Sequence, residues 1–195
     1  VAEQNSVDLA WNLLMDDNFK NLRAAIYGTQ AEMKRFRQLV VNSVMATDIV
    51  DKELKALRNG RWDRAFSEQV AENQQEDINR KATIVIEHLI QASDVAHTMQ
   101  HWHIYQRWNQ RLFNETYTAY KNGRSEKDPS EGWYGGELWF FDNYVIPLAK
   151  KLKECGVFGV SSDECLNYAM ENREEWERKG RSIVETMVGQ FERNQ

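Results

Sequence analysis

Two prolines and ten glycines are all the strong helix breakers in 195 residues. Between them apolar residues return at three- and four-residue steps, the period of one face of a helix. A chain so poor in breakers has little else to become, because glycine and proline are the residues that end helices most cheaply. The expected fold is all-α, one compact multi-helix bundle, with no strand-type alternation and no internal repeat. The length suits one domain with a real core and is short for two.

Composition narrows the function classes. Hydrophobic residues make up 42% and charged ones 28%, an ordinary globular balance. The net charge of −5, with both signs interspersed, argues against a nucleic-acid partner. No apolar run reaches the length of a bilayer span. The opening "VAEQNSVDLAW" lacks the basic-then-apolar layout of a signal peptide. Cys155 and Cys165 fit no zinc or redox spacing and read as reduced thiols, so a cytoplasmic location is expected.

Along the chain, "SVDLAWNLLM" puts Val7, Trp11 and Leu14 on one face before "DDNF" interrupts. A second helix runs from Phe19 to Tyr27 and ends at Gly28. Thr29 and Glu32 form a capping box for a helix carrying Met33, Phe36, Val40, Val44 and Met45 inward. "IVDKELKALR" is expected to stop at Asn59–Gly60, and 67–77 to be a polar loop or frayed helix start. From Ile78 to about Gln91 follows a helix whose Ile84, Ile86, Leu89 and Ile90 look too apolar for a surface. A long helix reaches Lys121, residues 124–135 read as a surface loop, and "ELWFFDNYVIPLAKKLKECG" is an apolar helix that Pro147 should kink or whose regular hydrogen bonding it should end early. Ser161 or Ser162 caps a last helix running toward Val188.

The segment "QASDVAHTMQHWHIYQRWNQRLF", 91–113, concentrates three of the four histidines. Asp94, His97 and His101 at i, i+3 and i+7 share a face of any continuous helix and form an acceptable metal face. Rim and core positions are the more common use of such residues, and the zinc-protease pattern is absent.

The same block, "HLIQASDVAHTMQHWHIYQRWNQRL", resembles the segment of class I cyclic nucleotide phosphodiesterases that reads H-C-A-D-L-S-N followed by L-Y-x-Q-W. Asp94 falls on the aspartate, His97 on the asparagine, Tyr105 on the tyrosine and Trp108 on the tryptophan. "ELWFFDNYVIPL" resembles the family's Q-V-G-F-I-D-x-x-V-x-P-L, with Glu137 on its glutamine and Phe140 on its phenylalanine. "VVNSVMATDI" is similar to the helix ending in L-A-T-D-M, and "EQNSVDLAWNLL" places Glu3 on the glutamate of E-N-H-H. Four matches in the family's order cover nearly the whole chain.

The resemblance implies an HD-domain-like helical bundle that hydrolyses 3′,5′-cyclic nucleotides to 5′-monophosphates in signal transduction. It implies two divalent ions, zinc and magnesium, whose shared hydroxide attacks the phosphate. It gives Asp94 the role of a metal ligand and Glu3 that of a residue orienting metal-bound water. His97, Tyr105, Leu112, Glu137 and Phe140 become substrate-binding residues, with Leu112 and Phe140 on the two faces of the purine. The family's catalytic histidine and first metal ligands lie in H-N-x-x-H and H-D segments, and neither "HN" nor "HD" occurs in this sequence. The chain is therefore expected to be the C-terminal part of the catalytic domain, incomplete at its N-terminus, with no catalytic residue of its own and no activity alone. An apolar face on its first helices should then be left uncovered. A non-catalytic regulatory or nucleotide-binding relic is the alternative. Whether the chain forms a homodimer, or is tethered to a membrane through an upstream module, is left open.

Two departures shape the expected pocket. Asn5 and Ser6 replace two family histidines. Glu137 replaces an amide that both donates and accepts, whereas an ionised carboxylate only accepts. Guanine offers N1–H and a 2-amino group together, which suits a carboxylate, so cyclic GMP is the expected substrate over cyclic AMP. Glu137 pointing to solvent is the competing expectation. His101 and His103 are expected at the rim, Trp102, Trp133, Trp139 and Trp176 in packing, and Asp48 in a structural hydrogen bond.

Overall fold

The computed structural model describes residues 2–66 and 74–193. Among them every regular element is helical, as the scarcity of breakers predicts. The contacts divide the chain into two compact units, Val1–Asp94 and Val95–Gln195.

The first unit holds α1 (Ala2–Met15), α2 (Lys20–Ile26), α3 (Gln30–Ala46), α4 (Lys52–Phe66) and α5 (Gln74–Asp94), with a 3-10 turn at Asp17–Phe19. The predicted capping box opens α3. Thr29 Oγ1 accepts from the Glu32 N–H at 3.2 Å, and Glu32 Oε2 accepts from the backbone N–H groups of Thr29 and Gly28. These bonds hold the Glu32 carboxyl below its ordinary pKa. Trp11 and Tyr27 meet Phe36 with ring centroids 6.4 and 6.0 Å away, which ties α1 and α2 to α3. At the far end of α3, Asp48 accepts from the N–H groups of Val50 and Asp51, the structural role expected of it. The buried Arg58 side chain donates to the carbonyl of Asp48 and to that of Met45, which also accepts from the Asp48 N–H, and so ties α4 to the end of α3.

Two expectations fail in this unit. Helix α4 does not stop at Gly60 but continues to Phe66, because Trp62 beyond the glycine is buried against His88, 4.4 Å between rings. That contact outweighs the roughly 1 kcal/mol that glycine costs inside a helix. On α5, Ile86, Leu89 and Ile90 are 37, 41 and 37% exposed. The inward stripe is instead Ile84, Glu87, His88 and Gln91, the i, i+3, i+4, i+7 positions of the neighbouring face. Two of its buried polar groups meet a polar neighbour. His88 Nδ1 lies 2.8 Å from the Ile84 carbonyl. Arg61 Nη2 lies 2.9 Å from Glu87 Oε1, an ion pair without the alignment of a good hydrogen bond. Burial pushes the Glu87 carboxyl up, and Arg61 offsets only part of it. Leu9, Leu13 and Leu22 of the first helices are exposed, the uncovered apolar surface expected. The expected polar stretch 67–77 falls for the most part outside the described residues, and its last four residues, 74–77, are already helix.

The second unit contains a 3-10 turn at Ala96–Met99, then α6 (Trp102–Lys121), α7 (Pro129–Phe140), α8 (Ile146–Glu154) and α9 (Val160–Arg193). The long α9 is its spine, packed against the other three helices and the 3-10 turn. Trp176 on α9 is fully buried, donates from Nε1 to the Tyr134 carbonyl, and meets Tyr105 edge-on. Gly180 lets α7 approach: a Cβ there would sit 2.8 Å from the Trp176 ring and 2.9 Å from the Tyr134 ring. Asn172 Nδ2 donates to the Thr98 and Gln100 carbonyls and so pins the 3-10 turn to α9. Helix α6 closes at Gly123 with φ 69°, the left-handed residue such ends call for.

Residues 124–135 are a loop only to Asp128, since α7 begins at Pro129. Asp128 accepts from the Ser130 N–H at 2.8 Å, and Pro129 occupies the first turn, where its missing N–H costs nothing. Ahead of Pro147 the regular α-helical hydrogen bonding of the apolar segment ends, as expected, while the backbone stays helical. A π-helical turn, Phe141–Val145, separates α7 from α8, the adjustment that follows when a ring replaces a backbone donor. Helix α9 starts at Val160, so Ser161 and Ser162 lie inside its first turn, and it runs to Arg193, beyond the expected Val188. Cys155 and Cys165 are both free.

Candidate functional site

In the second unit, α6 and α7 bring together two residues singled out from the sequence. Tyr105, one turn into α6, is buried, and its hydroxyl donates to Glu137 Oε2 on α7 at 2.7 Å. The bond crosses 32 residues of sequence. Behind it Asn109, one turn further along α6, approaches the Tyr105 hydroxyl with Nδ2 at 3.4 Å and accepts from Trp133 Nε1 at 3.2 Å. Glu137 is thus the end of a chain of polar groups, Trp133–Asn109–Tyr105–Glu137, set into an aromatic wall. Phe141 and Trp176 pack on the Tyr105 ring, and Phe113 meets Trp133 edge-on.

This setting perturbs both titratable members. Burial pushes the Glu137 carboxyl up, and the Tyr105 hydroxyl, with the Asn109 amide behind it, pulls it back only in part. Tyr105 is pushed up strongly, first by burial and then by the Glu137 carboxylate it would have to face as a phenolate. Tyr105 therefore stays a donor, and Glu137 holds its proton more firmly than an ordinary carboxyl.

The remaining predicted binding residues surround this pair less closely. Phe140, half-buried, stacks on Tyr144 at 5.3 Å with 16° between the planes. Leu112 is exposed on α6. His97 lies in the 3-10 turn, 6.3 Å from the exposed ring of Trp108, over which the Arg111 guanidinium sits at 4.9 Å. His101 and His103 are exposed as expected, and His101 Nε2 is 3.1 Å from the Tyr168 hydroxyl. Trp176 packs as expected, whereas Trp139 is exposed. Trp133 packs and also donates a hydrogen bond in the Glu137 network, a role that packing alone does not suggest.

The metal face read from spacing does not form. Asp94 ends α5, His97 belongs to a separate 3-10 turn, and His101 precedes α6, so no single helix carries the three. Asp94 is exposed and Glu3 half-buried, both in the first unit. Among the described residues no group of three His, Cys, Asp or Glu side chains converges as a metal ion requires. The residues described do not fit a metal centre on their own.

Against this geometry stand the likenesses to known proteins. The family model of the 3′5′-cyclic nucleotide phosphodiesterases matches residues 1–156. The chain belongs to that family. The match spans the helices carrying Asp94, Tyr105, Glu137 and Phe140. The phosphodiesterase domain of the RhoPDE fusion protein from the choanoflagellate Salpingoeca rosetta is similar in fold. Its TM-score is 0.65 at 18% identity, over 96% of this chain and 57% of that one. A second structure, of the phosphodiesterase domain of Salpingoeca rosetta rhodopsin phosphodiesterase, gives 0.61 at 18% identity, over 99% and 57%. This phosphodiesterase-family chain therefore spans 57% of the length of the solved domains it resembles. No curated protein matches it. No helix among the described residues is long and apolar enough to cross a membrane.

Proposed function

We propose that residues 1–195 are the C-terminal part of a catalytic domain that hydrolyses 3′,5′-cyclic nucleotides to 5′-nucleoside monophosphates in cytoplasmic signal transduction. The observation that carries this is the Tyr105–Glu137 bond at 2.7 Å in a chain whose family match runs from residue 1 to 156. In this proposal Glu137 reads the hydrogen-bonding edge of the purine, and Tyr105 fixes the direction in which the carboxyl points. Phe140 and Leu112 supply apolar contact to the base faces, a sequence-tolerant way of holding a planar ring. His97 contributes an imidazole at the edge of the pocket.

Phosphoryl chemistry in this family uses divalent metals, and the described residues do not build a centre for them. Asp94 and Glu3 are proposed to join ligands supplied by chain outside residues 1–195, together with the general acid. No reaction step is therefore assigned to this chain. Its own residues bind and orient the nucleotide. An ionised Glu137 favours cyclic GMP, because adenine would set a ring-nitrogen lone pair against a carboxylate oxygen. An edge mismatched in this way costs roughly 1–3 kcal/mol, about tenfold to a hundredfold in discrimination.

The test compares the complete protein with residues 1–195, each assayed for cyclic nucleotide hydrolysis with zinc and magnesium. Turnover by the complete protein alone is the expected result. Robust turnover by residues 1–195 would overturn the partial-domain assignment, and turnover by neither would favour the non-catalytic relic.

A further inference from the structure

This inference rests on the purine-reading role proposed for Glu137 and concerns its regulation. The partners that act on the Glu137 carboxyl are uncharged: the Tyr105 hydroxyl on Oε2 and the Asn109 amide behind it. Charges on the π-turn and α9, both packed against α7, are paired with other groups in the following cases. On the π-turn, Asp142 is paired with Arg173 of α9 at 3.0 Å, and Arg173 also holds Glu177. Further along α9, Arg181 lies over the Tyr134 ring at 4.3 Å. From α6 the titratable group at this carboxyl is Tyr105 itself, which burial keeps protonated. A half-buried carboxyl with no cation beside it among the described residues holds its proton to higher pH than an ordinary carboxyl does.

We propose that the proton on Glu137 decides which purines the site takes: the neutral acid accepts adenine and guanine, and the carboxylate accepts guanine alone. The geometry assigns the atoms. The Tyr105 hydroxyl occupies a lone pair of Oε2, so the proton of the neutral form sits on Oε1. The acid then presents one donor, Oε1–H, beside one acceptor, the second lone pair of Oε2. This is the pattern of a primary amide. It pairs with the N1 acceptor and 6-amino donor of adenine, or with the O6 acceptor and N1–H donor of guanine. Loss of the proton leaves two acceptors, which N1–H and the 2-amino group of guanine satisfy together. Adenine has no such pair of donors. Raising the pH therefore removes cyclic AMP from the substrate range and leaves cyclic GMP in it.

The experiment follows kcat/KM for cyclic AMP and cyclic GMP in the complete protein from about pH 5 to about pH 9, and repeats it with Glu137→Gln. Taking the ratio cancels every titration the two substrates share, including those of metal-bound water and general acid. The expected result is a cyclic AMP to cyclic GMP ratio that falls about tenfold per pH unit once Glu137 ionises, then levels off. In Glu137→Gln the ratio should not change with pH. A flat ratio in the parent protein, with both nucleotides turned over, overturns the proton switch and leaves the proposed function standing. The same slope in Glu137→Gln overturns it equally. Turnover of neither nucleotide overturns the underlying function as well.

Discussion

Tyr105→Phe isolates the hydroxyl that points Glu137 at its substrate. The ring stays, so the edge-on contacts with Phe141 and Trp176 survive. What disappears is one 2.7 Å donor to Oε2, together with the hydroxyl that the Asn109 amide approaches at 3.4 Å. A hydrogen bond to a charged acceptor is worth about 1.5–3 kcal/mol and one to a neutral acceptor about 0.5–1.5. The ionised form of Glu137 thus loses about 1 kcal/mol more than the neutral form. That difference should raise the Glu137 pKa by a little under about one unit. The sign for stability follows. Glu137 already has a raised pKa in the folded chain, so its contribution is unfavourable above that pKa and vanishes below the unfolded value. Removing the donor deepens the unfavourable arm, and the cost of Tyr105→Phe should grow from about 1 kcal/mol at mildly acidic pH to about 2 at mildly alkaline pH. Urea unfolding of parent and variant at both pH values measures it. An equal cost at both, or no cost at either, would refute the reasoning.

Other outcomes test the packing. Gly180→Ala should destabilise by on the order of 1 kcal/mol: its Cβ would press on the fully buried Trp176 ring, and overpacking outweighs the gain in helix propensity. Gly60→Ala, with open space around its Cβ, should instead stabilise by about 0.5–1 kcal/mol, and thermal melts of the two variants check the contrast. Arg58→Met should cost about 2 kcal/mol in denaturant titration by leaving the Met45 and Asp48 carbonyls without their shared donor. Because burial raises the Glu87 carboxyl, the parent should lose stability relative to Glu87→Gln as pH rises above the ordinary carboxylate range. A pH series of unfolding midpoints reads that slope.

The helical class and most helix positions were legible because periodicity and breakers are local signals. The errors came where another interaction overrode them. Gly60 reads as a stop, yet Trp62 draws α4 onward into contact with His88. On α5 the apolar residues advertise one face while Glu87, His88 and Gln91 are buried, and the contacts from α4 that favour this face, Arg61 to Glu87 and Trp62 to His88, leave no trace in local periodicity. "DPS" was a legible helix start inside a stretch whose charge and glycines favoured a loop. The i, i+3, i+7 reading of Asp94, His97 and His101 assumed a continuous helix that ends at Asp94. For the site, Tyr105 and Glu137 came from the family resemblance, not from spacing. Asn109 and Trp133 were missed because a bond spanning 24 residues leaves no trace in local periodicity.

The proposal as a whole depends on Asp94 acting with residues outside this chain, and one measurement addresses that: release of 5′-GMP from cyclic GMP by the complete protein and by its Asp94→Ala variant, both supplied with zinc and magnesium. Asp94 is exposed at the end of α5, so the substitution should leave the fold intact. The account predicts turnover by the parent and a loss of at least roughly a hundredfold in the variant, whose circular dichroism stays unchanged. Equal turnover by the two proteins would contradict it.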